Sequence, residues 1–268
     1  MKKLIYLFIT ALLPLAAFSQ HWQFELMSGS TGYAGDLTEI NPSVKSLGPS
    51  AGFFIKYKIH PQVILRTGVL FGSVSGDDKN NKDSLLLKRN LSFKSNITEF
   101  HAAVEVNLLD PADSKAYPYI FAGAGLFHFN PYAFDKNGEK TYLQPLSTEG
   151  QGLPEYPDRK PYKLTQFCIP FGGGLKMTIT EKVDMGIEFG VRKIFTDYLD
   201  DVSTRYVDYN VLEEAKGPKA VEMAFRAKTP AGAHIIPVKN DIRGNPGKKD
   251  VYYFAGLKFI FKTLSNKQ

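Results

Sequence analysis

The chain is 268 residues long, with 33 lysines and arginines against 27 aspartates and glutamates, a formal charge of +6 that falls to +4 without Lys2 and Lys3. So small a surplus, finely mixed along the chain, excludes a nucleic-acid binder, and the one cysteine, Cys168, excludes an internal disulfide. The length allows one large β domain or two ordinary ones.

Residues 1–19 join Lys2 and Lys3 to an uncharged run from Leu4 to Phe18, with Ala17 and Ser19 at the small-residue positions. This pattern reads as a cleaved secretory signal peptide, shorter than the ~20 residues of a spanning helix. No cysteine stands directly after the run, so lipoprotein processing is not expected. Residues 20–268 are expected to form a single domain, because no later segment is an 18-residue apolar run or keeps a helical period.

Period-2 alternation appears instead, in eight segments. The first, about 21–33, sets Trp22, Phe24 and Leu26 against Gln23 and Glu25; the second, about 50–59, sets Phe53, Ile55 and Tyr57 against Lys56 and Lys58. After His60-Pro61-Gln62, the third runs to about 75 with Val63, Leu65, Val69 and Phe71 opposed to Arg66. The fourth, about 91–108, places Phe100, Ala102, Val104 and Val106 opposite Glu99, His101, Glu105 and Asn107. "YPYIFAGAGLFHF" (117–129) is the fifth, and the sixth, about 164–179, alternates Phe167, Ile169, Phe171 and Leu175 with Cys168, Gly172, Gly174 and Lys176. The seventh opposes Met185, Ile187, Phe189 and Val191 to Asp184, Glu188 and Arg192, and the eighth opposes Tyr253, Leu257, Phe259 and Phe261 to Lys258 and Lys262.

Short links (60–62, 109–116, 180–183) alternate with long polar ones (34–49, 76–90, 130–163, 196–250). An apolar face without a soluble partner, an even strand number and unequal connections predict an all-β fold: an eight-stranded antiparallel up-and-down transmembrane β-barrel. It would sit in the cell outer membrane with short periplasmic turns, long extracellular loops and both termini periplasmic. Glu25, Arg66, Glu99, His101, Glu105, Glu188, Arg192 and Lys258 then point inward and are expected to pair as a salt-bridge network filling a narrow lumen. Trp22, Tyr33, Tyr57, Tyr119, Phe129, Phe195, Tyr198 and Tyr253 are expected to form the interfacial aromatic girdles.

Catalytic templates are not met: the five histidines stand singly, and HExxH, CxxC and GxSxG spacings do not occur. "FGGGLKMT" (171–178) lacks the ending of a phosphate loop and reads as glycines that relieve crowding in a strand. Asp197, Asp200 and Asp201 lie where the seventh segment ends and read as an extracellular rim cluster in water, capping turns through Asx hydrogen bonds. A calcium site would need six or more oxygen ligands, and the EF-hand order is missing, so neither metal nor cofactor is expected.

Seven stretches, "GYAGDL" (32–37), "GSVSGDD" (72–78), "RNLSFKSNITE" (89–99), "PYIFAGAGLFHFNP" (118–131), "LQPLSTEGQG" (143–152), "IPFGGGLK" (169–176) and "EFGVRKIFTDYLDDVS" (188–203), together resemble the PorG-like outer-membrane barrels of Bacteroidetes, a family associated with the type IX secretion system. The resemblance spans nearly the whole chain after the leader but does not extend over 204–249. It implies a non-enzymatic component that anchors or positions the periplasmic ring of the secretion machine, made of a PorK-like lipoprotein and a PorN-like protein. Contact would run through the periplasmic turns, at His60, Pro61, Gln62, Asp110, Asp113, Glu181 and Lys182, and through the tail 263–268. Outer-membrane lipids, lipopolysaccharide among them, would surround the barrel. A surface-binding barrel or narrow pore, using loops 130–163 and 196–250 to hold a glycan or protein, is the alternative.

Overall fold

The computed structural model describes residues 21–38, 46–229 and 231–263. The expected signal peptide and the tail beyond Thr263 lie outside them. Alternation produces long strands, as it should for a chain with one oily and one polar face. They are β1 (Trp22–Ala34), β2 (Leu47–His60), β3 (Val63–Asp77), β4 (Ser92–Asn107) and β5 (Ala116–His128), then β8 (Thr165–Thr178), β9 (Val183–Ile194) and β10 (Val251–Lys262). A small hairpin, β6 (Tyr132–Phe134) and β7 (Lys140–Tyr142), intervenes.

Every pairing is antiparallel, and the chain closes on itself: β1 pairs with β2 and β10, while β3 joins β4. The eight long strands therefore make a closed barrel without an edge. β6 hangs from β4 through the pair Lys94↔Tyr132. Both ends of the barrel chain, Gln23 and Lys262, face each other in register at the end that carries the short turns. At the other end the long connections hold β6 and β7 and three short helices: α1 (Ser84–Arg89), α2 (Tyr209–Lys216) and α3 (Pro218–Ala224). The sequence offered no helical period there because these helices span only one or two turns.

The two faces follow strict parity. On β4, Glu99, His101, Ala103 and Glu105 are buried while Phe100, Ala102 and Val104 are exposed. The exposed set continues round the barrel through Phe24, Phe53, Leu65, Leu126, Phe171, Ile187 and Phe259, an outward apolar belt that no other described part of the chain covers. Parity also corrects the girdles. Trp22 packs edge-on to Tyr57 at the short-turn end, while Phe195 with Phe167 and Tyr253 with Phe189 lie outward at the other. Tyr33, Tyr119 and Phe129 point inward and are buried because their positions share the parity of the lumen residues, and Tyr198, in the loop beyond β9, packs against the buried cluster beneath the cap. The glycines of "FGGGLKMT" do relieve crowding: a Cβ at Gly174 would lie 2.8 Å from the Tyr119 hydroxyl.

Placing a charge on the belt should destabilise the barrel. Ala102→Arg is expected to cost about 2–4 kcal/mol in unfolding from lipid vesicles, whereas Ala103→Ser, on the inner face, is expected to cost far less; equal costs would contradict the assignment of faces.

Candidate functional site: a sealed lumen and a folded cap

The inner wall brings all eight predicted lumen residues together, and two that the sequence reading left out. Lys56 and Lys176 share the inward parity of their strands, a signal already present in the alternation. Lys56 lies 2.9 Å from both Glu25 and Glu105, Arg66 forks onto Glu188 at 2.6 and 3.3 Å, and Lys258 lies 3.2 Å from Glu25 and 3.1 Å from Glu188. Lys176 reaches Glu105 and, at 2.8 Å, Asn107. Aromatic faces fill the remaining space: Phe121 lies 4.3 Å below the Arg66 guanidinium, and Tyr119 lies 4.0 Å from the Lys258 ammonium while donating to Glu188 at 2.7 Å.

A second group lies nearer the long loops. Glu99 accepts from Arg192 at 3.0 Å, from Tyr252 at 2.8 Å and from His101 at 2.6 Å. The Nε2 of His101 sits 3.4 Å from an Arg66 amino group, which has only protons to offer. Nε2 is therefore the acceptor and Nδ1 carries the proton, so His101 is a neutral linker between the two groups. Cys168 is buried beside Tyr252, 3.9 Å from its hydroxyl, as a small core residue.

Above this plug the long loops fold into a cap with its own apolar core, in which Leu212, Ala220, Val221 and Ala224 of α2 and α3 meet Leu153, Tyr156, Tyr206 and Phe225. Two polar hubs join loops that are distant in sequence. The carboxylate of Glu149 accepts from the backbone of Ser203 and Thr204, both at 2.9 Å, and from Arg243 at 2.8 Å. Arg89, in the last turn of α1, binds both oxygens of Asp78 and the carbonyls of Asp36 and Arg243. Neither hub was named from the sequence, since a lone charge in a polar loop carries no periodicity.

Asp197, Asp200 and Asp201 do not stand in water at the rim: the cap covers all three. Each has separate donors. Ser203 donates to Asp197 at 2.7 Å; Tyr33 donates to Asp200, whose other oxygen takes the Val202 N–H at 2.8 Å in the Asx turn anticipated above; Thr148 and Tyr162 donate to Asp201 at 2.5 and 2.7 Å. Among the described residues no group of three or more His, Cys, Asp or Glu side chains is arranged to hold a metal. Burial pushes Asp197 up to about 6 against its bond from Ser203, and pushes Asp201 up to about 6 against the nearby Arg243. Asp200 and Asp250 are raised well above the usual range, first by burial and, for Asp250, by the charges of Asp200 and Asp197.

His60, Pro61, Gln62, Asp110, Asp113, Glu181 and Lys182 all lie at the short-turn end, exposed or half-buried in three separate turns. They share one rim and form no joint cluster.

The family model described as "Domain of unknown function (DUF6089)" matches residues 2–216. No curated protein matches the chain. Among solved structures the chain is similar to Neisserial surface protein A, at 11% identity and a TM-score of 0.43 over 91% of this chain and 97% of that one. It is similar also to a major outer membrane protein of Thermus thermophilus, at 10% identity and a TM-score of 0.42 over 90% of this chain and 99% of that one. Ail, the attachment invasion locus protein of Yersinia pestis, shares 8% identity at a TM-score of 0.39 over 91% of this chain and 99% of that one.

Two outcomes follow from this geometry. Arg66→Met strips the forked guanidinium from Glu188, leaving it Lys258 at 3.1 Å and the Tyr119 hydroxyl, and should cost about 1.5–3 kcal/mol for the lost charge-assisted hydrogen bonds, read by urea unfolding in detergent micelles; an unchanged midpoint would contradict a packed plug. For the cap, aspartates whose folded values exceed their free value of 3.8 bind protons that the opened loops release. Their contribution is therefore complete below about 4 and is lost as pH rises through about 6. Amide exchange over 197–203, corrected for intrinsic rates, should be slower at pH 4.5 than at pH 8, and the double change Asp197→Asn, Asp201→Asn should flatten the difference.

Proposed function

The chain belongs to the DUF6089 family, and we propose that it is an integral outer-membrane barrel that works as a closed, non-enzymatic anchor rather than a pore. The observation that carries this reading is the lumen. Buried ion pairs and aromatic rings fill it from Asn107 to Tyr252, leaving the two ends as the surfaces free to act. The outward belt favours a bilayer as its apolar partner, and closure removes the sheet edges that lipid would leave unsatisfied. Short turns and both strand termini at one end suit a periplasmic orientation for that end.

At a finer level, the ordered stretches that resemble PorG-like barrels support a role in the type IX secretion system, with the short-turn rim positioning a ring of PorK-like lipoprotein and PorN-like protein. The turns are small, so a contact of standard size, ~800 Å² per partner, draws on several of them together.

A second reading has its own support. The cap carries a cleft of about 600 Å³ between α1 and the 235–245 stretch, with Leu85, Ile236, Val238 and Ile242 exposed on and around it. Apolar side chains held out in water on a loop cap suit capture of an extracellular protein.

Purification of a tagged chain from its native outer membrane in mild detergent separates these readings. The anchor reading expects ring lipoprotein and its partner in a constant ratio, and electrical silence in planar bilayers. Secretion that survives deletion of the chain, with a barrel that purifies alone, would overturn it in favour of the cap.

A further inference from the structure

The ions of the lower lumen do not balance. Lys56, Arg66, Lys176 and Lys258 face Glu25, Glu105 and Glu188, and none of the seven is more than 3% exposed. Neighbouring charges are already matched, Arg192 by Glu99 and Lys262 by Asp184 at 2.7 Å, and His101 is neutral. Counted with every group ionised, one positive charge is left over among side chains shut off from solvent, where an uncompensated ion is costly.

The surplus sits next to an opening. Lys176, two residues from the short-turn end of β8, offers three donors to two hydrogen-bond acceptors, Glu105 and Asn107. It lines a cavity of about 330 Å³ at the mouth together with Gln23, Lys58, Tyr117 and Lys262. Lys58 has no carboxylate within ion-pair distance among the described residues, and the Gln23 amide has no hydrogen-bond partner there. The acids of the mouth are engaged: Asp184 holds Lys262 and the Tyr117 hydroxyl, and Asp110 holds the Ala112 N–H at 2.9 Å. A volume of this size takes an ion of several heavy atoms with water to spare, since one water occupies ~30 Å³ of liquid.

We infer that the short-turn mouth is a binding site for one oxyanion, a carboxylate or a phosphate, received by Lys176 at its floor and Lys58 and Gln23 on its wall. The anion completes the charge balance of the plug, so its binding stabilises the folded barrel. The site does not depend on the proposed secretion role. Its ligand is either a free ion or a carboxylate carried on a peptide, and the two sources are separable.

The full chain folded in a non-ionic detergent is titrated at pH 7 with sodium acetate, inorganic phosphate and an acetylated triglutamate peptide, against sodium chloride at equal ionic strength, and the thermal midpoint is followed. The inference expects a saturable rise with an oxyanion that chloride does not reproduce. Saturation by the free ions identifies a small-ion site, and saturation by the peptide at a tenfold lower concentration identifies a peptide carboxylate. Lys176→Met, which leaves three cations against three anions, should need at least about tenfold more anion for the same rise, in line with the loss of a charge-assisted hydrogen bond. Lys58→Met, at a half-buried wall position, should weaken the response while leaving the fold intact. A rise equal to that in chloride, or an unaltered response in Lys58→Met, would overturn the inference.

Discussion

Lys56 between Glu25 and Glu105, and Arg66 forked onto Glu188, set the terms for the rest of the molecule. Strict alternation puts these side chains on one face of the sheet and leaves leucines, phenylalanines and valines on the other, so the sheet is built inside out compared with a soluble barrel. Charges can be held this way only when every one finds a partner, because breaking a buried pair costs more than forming it gains. The lumen meets that demand by closing the sheet until opposite walls touch, β3 reaching β9 through Arg66 and Glu188. A barrel of eight strands is narrow enough for that contact and too narrow for folded cargo.

The cap obeys the same rule with different materials. The long connections converge over the end of the barrel away from the short turns and bury carboxylates that would be cheaper in water, and each is held by hydroxyl and backbone donors or by a guanidinium. Glu149 and Arg89 act as ties between loops, and the helices α2 and α3 supply an apolar core. The molecule thus has two layers of different chemistry: a lumen of buried ion pairs with one cation in surplus, and a cap whose Asp197 and Asp201 keep their protons up to about pH 6.

Much of the barrel was legible in the sequence because its governing signal is local. Period 2 fixes which residues face inward, and Glu99, His101 and Glu105 on β4 could be placed from spacing alone. The same parity points Lys56 and Lys176 inward and turns Tyr33, Tyr119 and Phe129 away from the girdles, against the tendency of aromatics to sit at interfaces. The cap was not legible, because its decisive contacts are long-range. Glu149 and Arg243 are 94 residues apart, and Arg89 meets the carbonyl of Arg243 across 154. The rim acids were misplaced for the same reason: nothing near Asp200 in the chain announces that Tyr33 will cover it.

On the proposed reading a barrel sealed along its axis acts through its ends, and which end does the work decides between an anchor for periplasmic machinery and a receptor at the cell surface. The most direct test is photo-crosslinking in living cells from single positions on each end: Pro61, Asp113 and Glu181 on the short-turn rim, and Leu85 and Ile242 on the cap. The anchor account predicts crosslinks from the short-turn rim to one periplasmic partner and none from the cap. Crosslinks confined to Leu85 and Ile242 would contradict it.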